Sequence, residues 1–300
     1  MPDLHLELHP RLVNTLTCPV CGSAMAVTED GRSLTCTAAV SSRNPGGRAH
    51  LFDGAAGGYL PLAPRHSGGG DSKEAVRART AFLRYGYYAP ASEALTDLVR
   101  EFTPEGGVVL DAGCGEGYYS NRIAETNRLT LGVDLSKFAV DAAAKAARAW
   151  RLSTGEPSRT LYAVSSVFEL PVADEACDTV TNVFAPCAPD EYGRVLKSGG
   201  HLVVVGAGER HLLGLKKLIY DDPYLNDPRR DLPAEDGGFI LATTRNVTFT
   251  VTVEDPTHIA ALFSMTPYYW RTSRDGQDRL RSATCLETEV SFDFHVYRKL

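Results

Sequence analysis

The chain has 300 residues, 43% hydrophobic and 23% charged, a composition ordinary for a globular protein and apolar enough to bury a sizeable core. Its 37 acidic residues outnumber 31 basic ones for a net charge of −6, which excludes a protein that coats nucleic acid nonspecifically, because such binding rests on many Lys and Arg contacts to phosphate. No run of about eighteen apolar residues could span a bilayer, and Met1–Leu16 carries His, acidic and Pro residues where a signal peptide would be apolar, so a cytoplasmic location is expected.

The first segment, residues 1–64, is poor in apolar periodicity and rich in Gly, Ser, Thr and Cys, so it makes little core alone. The 7 cysteines of the chain are odd in number and scattered, which points to metal ligands and free thiols rather than a disulfide framework. Cys18-Pro-Val-Cys21-Gly is a Cys-x-x-Cys knuckle, a turn that presents two thiolates to one tetrahedral metal ion, and Cys36 and His50 are candidates to complete a structural zinc site. The spacing from Cys36 to His50 exceeds that of a usual knuckle. A thioredoxin-like redox pair competes with zinc for Cys18 and Cys21, but the βαβ context it needs is missing. Residues 1–86 are mildly basic against an acidic remainder, as would suit a recognition module attached to an enzyme.

Pro64-Arg-His-Ser-Gly-Gly-Gly-Asp71 reads as a flexible link. Ser72–Tyr85 reads as a helix, with Ala75, Ala78, Phe82 and Tyr85 at three- and four-residue spacing, and Ser92–Phe102 as another. From Val108 onward, strands at 108–111, 129–134, 160–164, 178–183 and 201–206 are interleaved with helices at 117–126, 136–151 and 188–196, the pattern of a doubly wound parallel sheet. Phe249–Val253 and Glu287–Tyr297 are further strands of alternating β-branched and aromatic residues. The expected division is a zinc-binding segment at 1–64, a helical linker contributing to a cofactor site at 65–104 and a catalytic domain at 105–300.

The chemistry is concentrated where Val108-Val-Leu110 runs through Asp111 into Gly113, Gly115 and Gly117. The apolar run suits a strand covered on both faces, and the glycines let the backbone turn sharply and approach a ligand. Asp134 ends the next strand, where a carboxylate can accept both hydroxyls of a ribose. Tyr118 stands where a dinucleotide fingerprint has its third glycine, which argues against NAD. The Asp111, Gly-x-Gly-x-Gly and Asp134 set resembles the S-adenosylmethionine site of class I methyltransferases. That resemblance implies a Rossmann-like α/β fold whose last strand is antiparallel, a place Val290–Tyr297 fits.

Beyond these motifs the chain resembles the RlmA family, bacterial 23S rRNA (guanine-N1)-methyltransferases that include the tylosin-resistance enzymes. The likeness covers nearly the whole chain. It runs through Cys18-Pro-Val-Cys21, His50-Leu-Phe-Asp53, Gly58-Tyr-Leu-Pro-Leu62, Gly70-Asp71 leading to Ala78-Arg79-Thr-Ala-Phe82-Leu83, and Gly86-Tyr-Tyr-Ala-Pro90. It continues in Leu110–Tyr119, Asp134-Leu-Ser-Lys137, Phe184-Ala-Pro-Cys187, Arg210-His-Leu212, Leu218-Ile-Tyr220 and Met265-Thr-Pro267 with Trp270. The resemblance implies Cys18, Cys21, Cys36 and His50 as zinc ligands. It implies S-adenosylmethionine against Tyr88, the Glu116–Gly117 turn and His211, with Asp134 on the ribose, and a homodimer acting on an rRNA hairpin. Phe184-Ala185-Pro186 would then border the acceptor base. Asp190 and Glu191 follow it as proton-acceptor candidates or solvated helix starts, and Tyr87, Phe184, Tyr268 and Trp270 are stacking candidates. Arg77 and Arg79 would meet RNA phosphate. The chain departs from the family in a polar insert at 37–49 and a short extension before Cys18. Two other readings are a small-molecule methyltransferase of secondary metabolism, against which the Cys cluster stands, and a non-catalytic zinc-ribbon RNA-binding protein, against which the intact cofactor residues stand.

Overall fold

The computed structural model describes residues 8–38, 40, 43–63, 69–228, 232–233 and 238–300; residues 64–68 of the link expected at 64–71 and part of the polar insert lie outside them. In chain order, a short helix α1 (Pro10–Asn14) precedes three antiparallel strands, β1 (Met25–Val27), β2 (Ser33–Cys36) and β3 (Leu51–Asp53). A two-residue strand β4 (Leu60–Pro61) follows. Helix α2 (Lys73–Arg84) starts where the Ser72 hydroxyl accepts from the Ala75 N–H, and it buries Val76, Phe82 and Leu83. Helix α3 (Ala89–Phe102) completes the lead-in to the sheet.

The alternation read from the sequence is present: β5 (Val108–Ala112), α4 (Tyr118–Ala124), β6 (Leu129–Asp134), α5 (Lys137–Thr154), β7 (Thr160–Val164), β8 (Cys177–Val183), α6 (Pro189–Val195) and β9 (Leu196–Ala207). Every residue of β5 is buried, as a strand covered on both faces requires. The chain closes with α7 (Leu213–Ile219), β10 (Phe239–Val253), α8 (Pro256–Ser264), a 3₁₀ turn at Pro267–Trp270, α9 (Arg274–Ser282) and β11 (Leu286–Lys299).

One 8-stranded sheet results, in the order β10-β11-β9-β8-β5-β6-β7-β4. Neighbours from β9 to β4 are parallel, whereas β11 runs antiparallel between β9 and β10. This is the class I methyltransferase architecture with its antiparallel strand where it was expected. The strand read from Phe249 is the end of β10, which starts ten residues earlier at the buried Phe239 and runs through exposed positions 240–246 that carry no alternation.

The metal-ligand segment and the sheet share one core. Leu12, Leu16, Leu34 and Leu60 are buried in the same apolar cluster as Val108, Leu110, Leu131 and Leu202. The Thr17 N–H donates to the Pro171 carbonyl at 2.9 Å, the Ala173 N–H to that of Thr15 at 2.8 Å, and the Leu62 N–H to that of Val164 at 3.0 Å. The opposite face of the sheet is filled from α2, α3, α8 and β11 by Phe82, Leu95, Leu262 and Phe292. Among the described residues no helix is long and apolar enough to cross a membrane.

Candidate functional sites: a four-ligand cluster and a glycine turn

The Cys18–Cys21 knuckle is folded by two backbone bonds, Gly22 N–H to the Cys18 carbonyl and Cys18 N–H to the Ser23 carbonyl, each 2.8 Å. It faces Cys36 at the end of β2 and His50 just before β3, and the ligand atoms of all four lie within 4.8 Å of one another. Cys21 Sγ is 3.7 Å from Cys36 Sγ, while His50 Nδ1 is 3.6 Å from Cys18 Sγ and 3.5 Å from Cys36 Sγ. A tetrahedral zinc ion with ordinary bond lengths requires edges of about 3.8 Å between sulfurs and about 3.5–3.6 Å between sulfur and nitrogen. The donor set therefore fits structural zinc in both chemistry and size. The insert at 37–49 does not spoil this: the Cys36 N–H donates to the His50 carbonyl at 3.0 Å and the His50 N–H to Cys36 Sγ at 3.1 Å. The chain thus leaves the site at one ligand and returns at the next.

At the carboxyl ends of β5 and β6 the glycine turn is built. The Gly113 and Cys114 N–H groups both donate to the Val133 carbonyl, at 2.8 and 3.0 Å, which curls the backbone back over β6. Asp134 accepts from the Gly115 N–H at 3.0 Å and from the Ser136 N–H at 2.7 Å, one bond to each oxygen, leaving lone pairs for further donors. Two glycines are demanded by contact as well as by a positive φ. A Cβ on Gly113 would lie 2.3 Å from that of Ala185, and one on Gly117 2.7 Å from that of Ala143. Asp111 is buried beneath the turn, accepting from the hydroxyls of Ser120 and Thr181, and burial pushes its carboxyl up to about 6. Burial likewise raises Glu116 and Asp134, although Arg79 and backbone donors respectively pull them back. The acidic side chains and the glycine turn between them suit a cofactor bearing a ribose and a positive sulfonium.

Beside it, β8 is followed by Phe184, whose φ of +52° is rare for a bulky side chain. Its N–H is held by the Val205 carbonyl at 3.1 Å, and its half-exposed ring stacks on His211 with centroids 5.7 Å apart. His211 is buried between Phe184, Tyr88 and Phe292. Its Nδ1 accepts the Ser291 N–H at 3.2 Å, so Nε2 carries the proton, and burial holds the ring neutral, at about 3. The loop bearing it is pinned by Asn226, whose amide donates to the Gly208 and His211 carbonyls at 3.0 and 3.1 Å. The Asn226 oxygen accepts from the buried Lys216 ammonium at 2.6 Å. Neither Lys216 nor Asn226 carried any signal in the sequence.

The structure thus brings Tyr88, Phe184, Ala185 and His211 together, with Ala185 against the glycine turn, but not every sequence candidate joins them. Glu191 is engaged structurally, accepting from Arg194 and from the Leu170 N–H at 2.7 Å, and Asp190 is a solvated first-turn residue. Tyr268 is buried near Lys216 and Tyr220 rather than free to stack, whereas Trp270 is 85% exposed. Tyr87 is tied by its hydroxyl to His258 at 3.1 Å. Arg77 is exposed, but Arg79 turns inward to Asp71 and Glu116 and cannot serve RNA phosphate as expected.

Residues 110–204 match the family model described as a methyltransferase domain. The chain is 27% identical over 293 residues, 94% of its length and 96% of the relative's, to YxjB of Bacillus subtilis (strain 168), which bears the provisional name 23S rRNA (guanine-N(1)-)-methyltransferase. It is 33% identical over 214 residues, 69% of each chain, to the 23S rRNA (guanine(748)-N(1))-methyltransferase of Streptomyces fradiae. The chain belongs to the 23S rRNA (guanine-N1)-methyltransferase family. A relative from Micromonospora griseorubida, provisionally named for the same activity, is 33% identical over 227 residues, 69% of this chain and 70% of its own. For a member of this family, the zinc-fitting cluster and the glycine turn belong to one enzyme.

Proposed function

We propose that the protein transfers a methyl group from S-adenosylmethionine to ring N1 of a guanine in a hairpin loop of 23S rRNA. The observation that carries this reading is the contact between the two turns: Gly113 abuts Ala185, so the cofactor pocket opens directly beside the exposed Phe184 ring. Displacement at a sulfonium methyl is in-line and needs the acceptor nitrogen held about 3 Å from the carbon, so positioning supplies much of the rate; as the N–C bond forms the C–S bond breaks, the neutral thioether leaves and the N1 proton passes to solvent. The sulfonium supplies an electrophilic methyl. The chain supplies the rest: Asp134 receives the ribose, Asp111 supports the turn of Gly113, Gly115, Glu116 and Gly117, and Tyr88 with His211 closes the wall. Phe184, Ala185 and Pro186 border the acceptor, with the Phe184 ring available to stack on a splayed base.

In the same reading Cys18, Cys21, Cys36 and His50 hold a structural zinc ion. Residues 1–64 present the RNA-facing module, 65–104 close the cofactor site and 105–300 carry the transferase sheet. The enzyme works in the cytoplasm as a homodimer. The dimer is supported by the family resemblance and by the outer edge of β10, which has no neighbouring strand among the described residues. Light scattering should return twice the chain mass.

Primer extension on rRNA from cells with and without the protein tests the activity. N1 methylation blocks Watson–Crick pairing, so a reverse-transcriptase stop at one guanine is expected only when the protein is present. Identical extension in both would sink the reading.

A further inference from the structure

Gly70-Asp71 and Arg79 belong to a segment that stood out in the sequence, and closing the cofactor site leaves the chemistry of these three residues unassigned. The structure folds it over the cofactor turn. A Cβ on Gly70 would lie 2.6 Å from the backbone nitrogen of Ser136, so the chain passes directly against a residue two positions beyond Asp134. The Asp71 carbonyl accepts from the Ser136 hydroxyl at 2.7 Å, and its carboxylate pairs with Arg79 on α2. The Arg79 guanidinium reaches past it: Nη1 is 3.6 Å from Glu116 Oε2 and would be 3.5 Å from a Cβ on Gly115. Glu116 is 7% exposed, and its Oε2 is a buried oxygen with no hydrogen-bond partner.

A buried carboxylate oxygen without a donor is costly, and a donor arriving with a ligand would satisfy it. A guanidinium beside it offers a planar fork of donors suited to a carboxylate. Arg79 and Glu116 together present one cation and one anion over the glycine turn, the complement of an α-amino acid zwitterion. We infer that Arg79 and Glu116 bind the amino-acid end of the cofactor, Arg79 its carboxylate and Glu116 its ammonium, with Asp71 holding Arg79 in place. This rests on the S-adenosylmethionine reading of the site and adds to it a residue on α2.

Calorimetric titration of the full chain with two ligands tests it: S-adenosylhomocysteine, which has the amino-acid end, and 5′-methylthioadenosine, which lacks it. Arg79→Met should weaken S-adenosylhomocysteine by about tenfold to a hundredfold, as for loss of charged hydrogen bonds, while methylthioadenosine changes by less than about twofold, since it makes none of them. Equal weakening of both would overturn the inference, because Arg79 would then act only by packing α2. Arg79→Lys, which keeps the charge and the helix contacts, guards against a variant that fails to fold. It should still weaken S-adenosylhomocysteine more than methylthioadenosine, and an equal effect again overturns the assignment. Wild-type protein that binds neither ligand would sink the cofactor reading itself, an outcome distinct from equal losses in the variants.

Discussion

Phe184 holds a left-handed backbone conformation that costs on the order of 1 kcal/mol outside glycine, and such strain persists where surrounding contacts over-determine it. Replacing it by glycine separates strain from function. Phe184→Gly should leave the thermal midpoint near wild type and cofactor affinity intact. Its rRNA methylation should fall by about fivefold to a hundredfold, since stacking of a base on an aromatic ring is worth about 1–3 kcal/mol. Single-turnover assays with calorimetry would check this, and loss of cofactor binding would mark Phe184 as a packing residue instead. Asp111 gives a second prediction at this scale. Because burial raises its folded pKa to about 6, above the unfolded value, its contribution to stability is fully present below the unfolded pKa and lost as pH rises through about 6. Denaturation of cofactor-free protein should therefore show wild type gaining on Asp111→Asn as pH falls from 6 toward 4. A gap that stays constant would mean that the Ser120 and Thr181 bonds cancel the cost of burial.

Among the elements, those that positioned the cofactor turn were the most readable, because β5 and β6 are short apolar runs bounded by glycines and an acid, and their local sequence suffices. The strand β4 was invisible: Leu60–Pro61 is too short for alternation, and it is a strand only because Val164 on β7 offers a carbonyl to Leu62. Arg79 was misread for a related reason, since its helical spacing does not say whether it faces solvent or the Glu116 turn. Sequence singled out the four candidate metal ligands that the structure brings together but could not explain their spacing, which needed the Cys36–His50 backbone bond. That cluster predicts about one zinc per chain in metal analysis of purified protein. Cys36→Ser should lose most of it, and full occupancy in that variant would assign the place of Cys36 to another residue.

Across the whole molecule, the shared core of the metal-ligand segment and the sheet predicts one cooperative unfolding event. Zinc release, read by a chromogenic chelator, should coincide in urea with the loss of secondary structure. An early, separate release would show that residues 1–64 unfold on their own. Deleting them should also fail to yield a folded remainder, since Leu12, Leu16, Leu34 and Leu60 would leave the sheet face bare. The net charge of −6 adds that RNA must be met by local basic surface rather than by the overall field, so rRNA methylation should decline with added salt while binding of S-adenosylhomocysteine does not.

The abutment of Gly113 on Ala185 bears on how such an enzyme can be altered. The two turns have no slack between them, since a single methyl on Gly113 would overlap the Ala185 side chain. If the proposed sites are right, a change on the donor side is thus felt at once on the acceptor side, and neither can be retuned by itself. Redirecting the enzyme to a different nucleobase would take paired substitutions, a smaller residue at 185 or beyond before any enlargement at 113. Loops elsewhere, such as the insert between Cys36 and His50, can meanwhile lengthen freely, because both of their ends are already fastened.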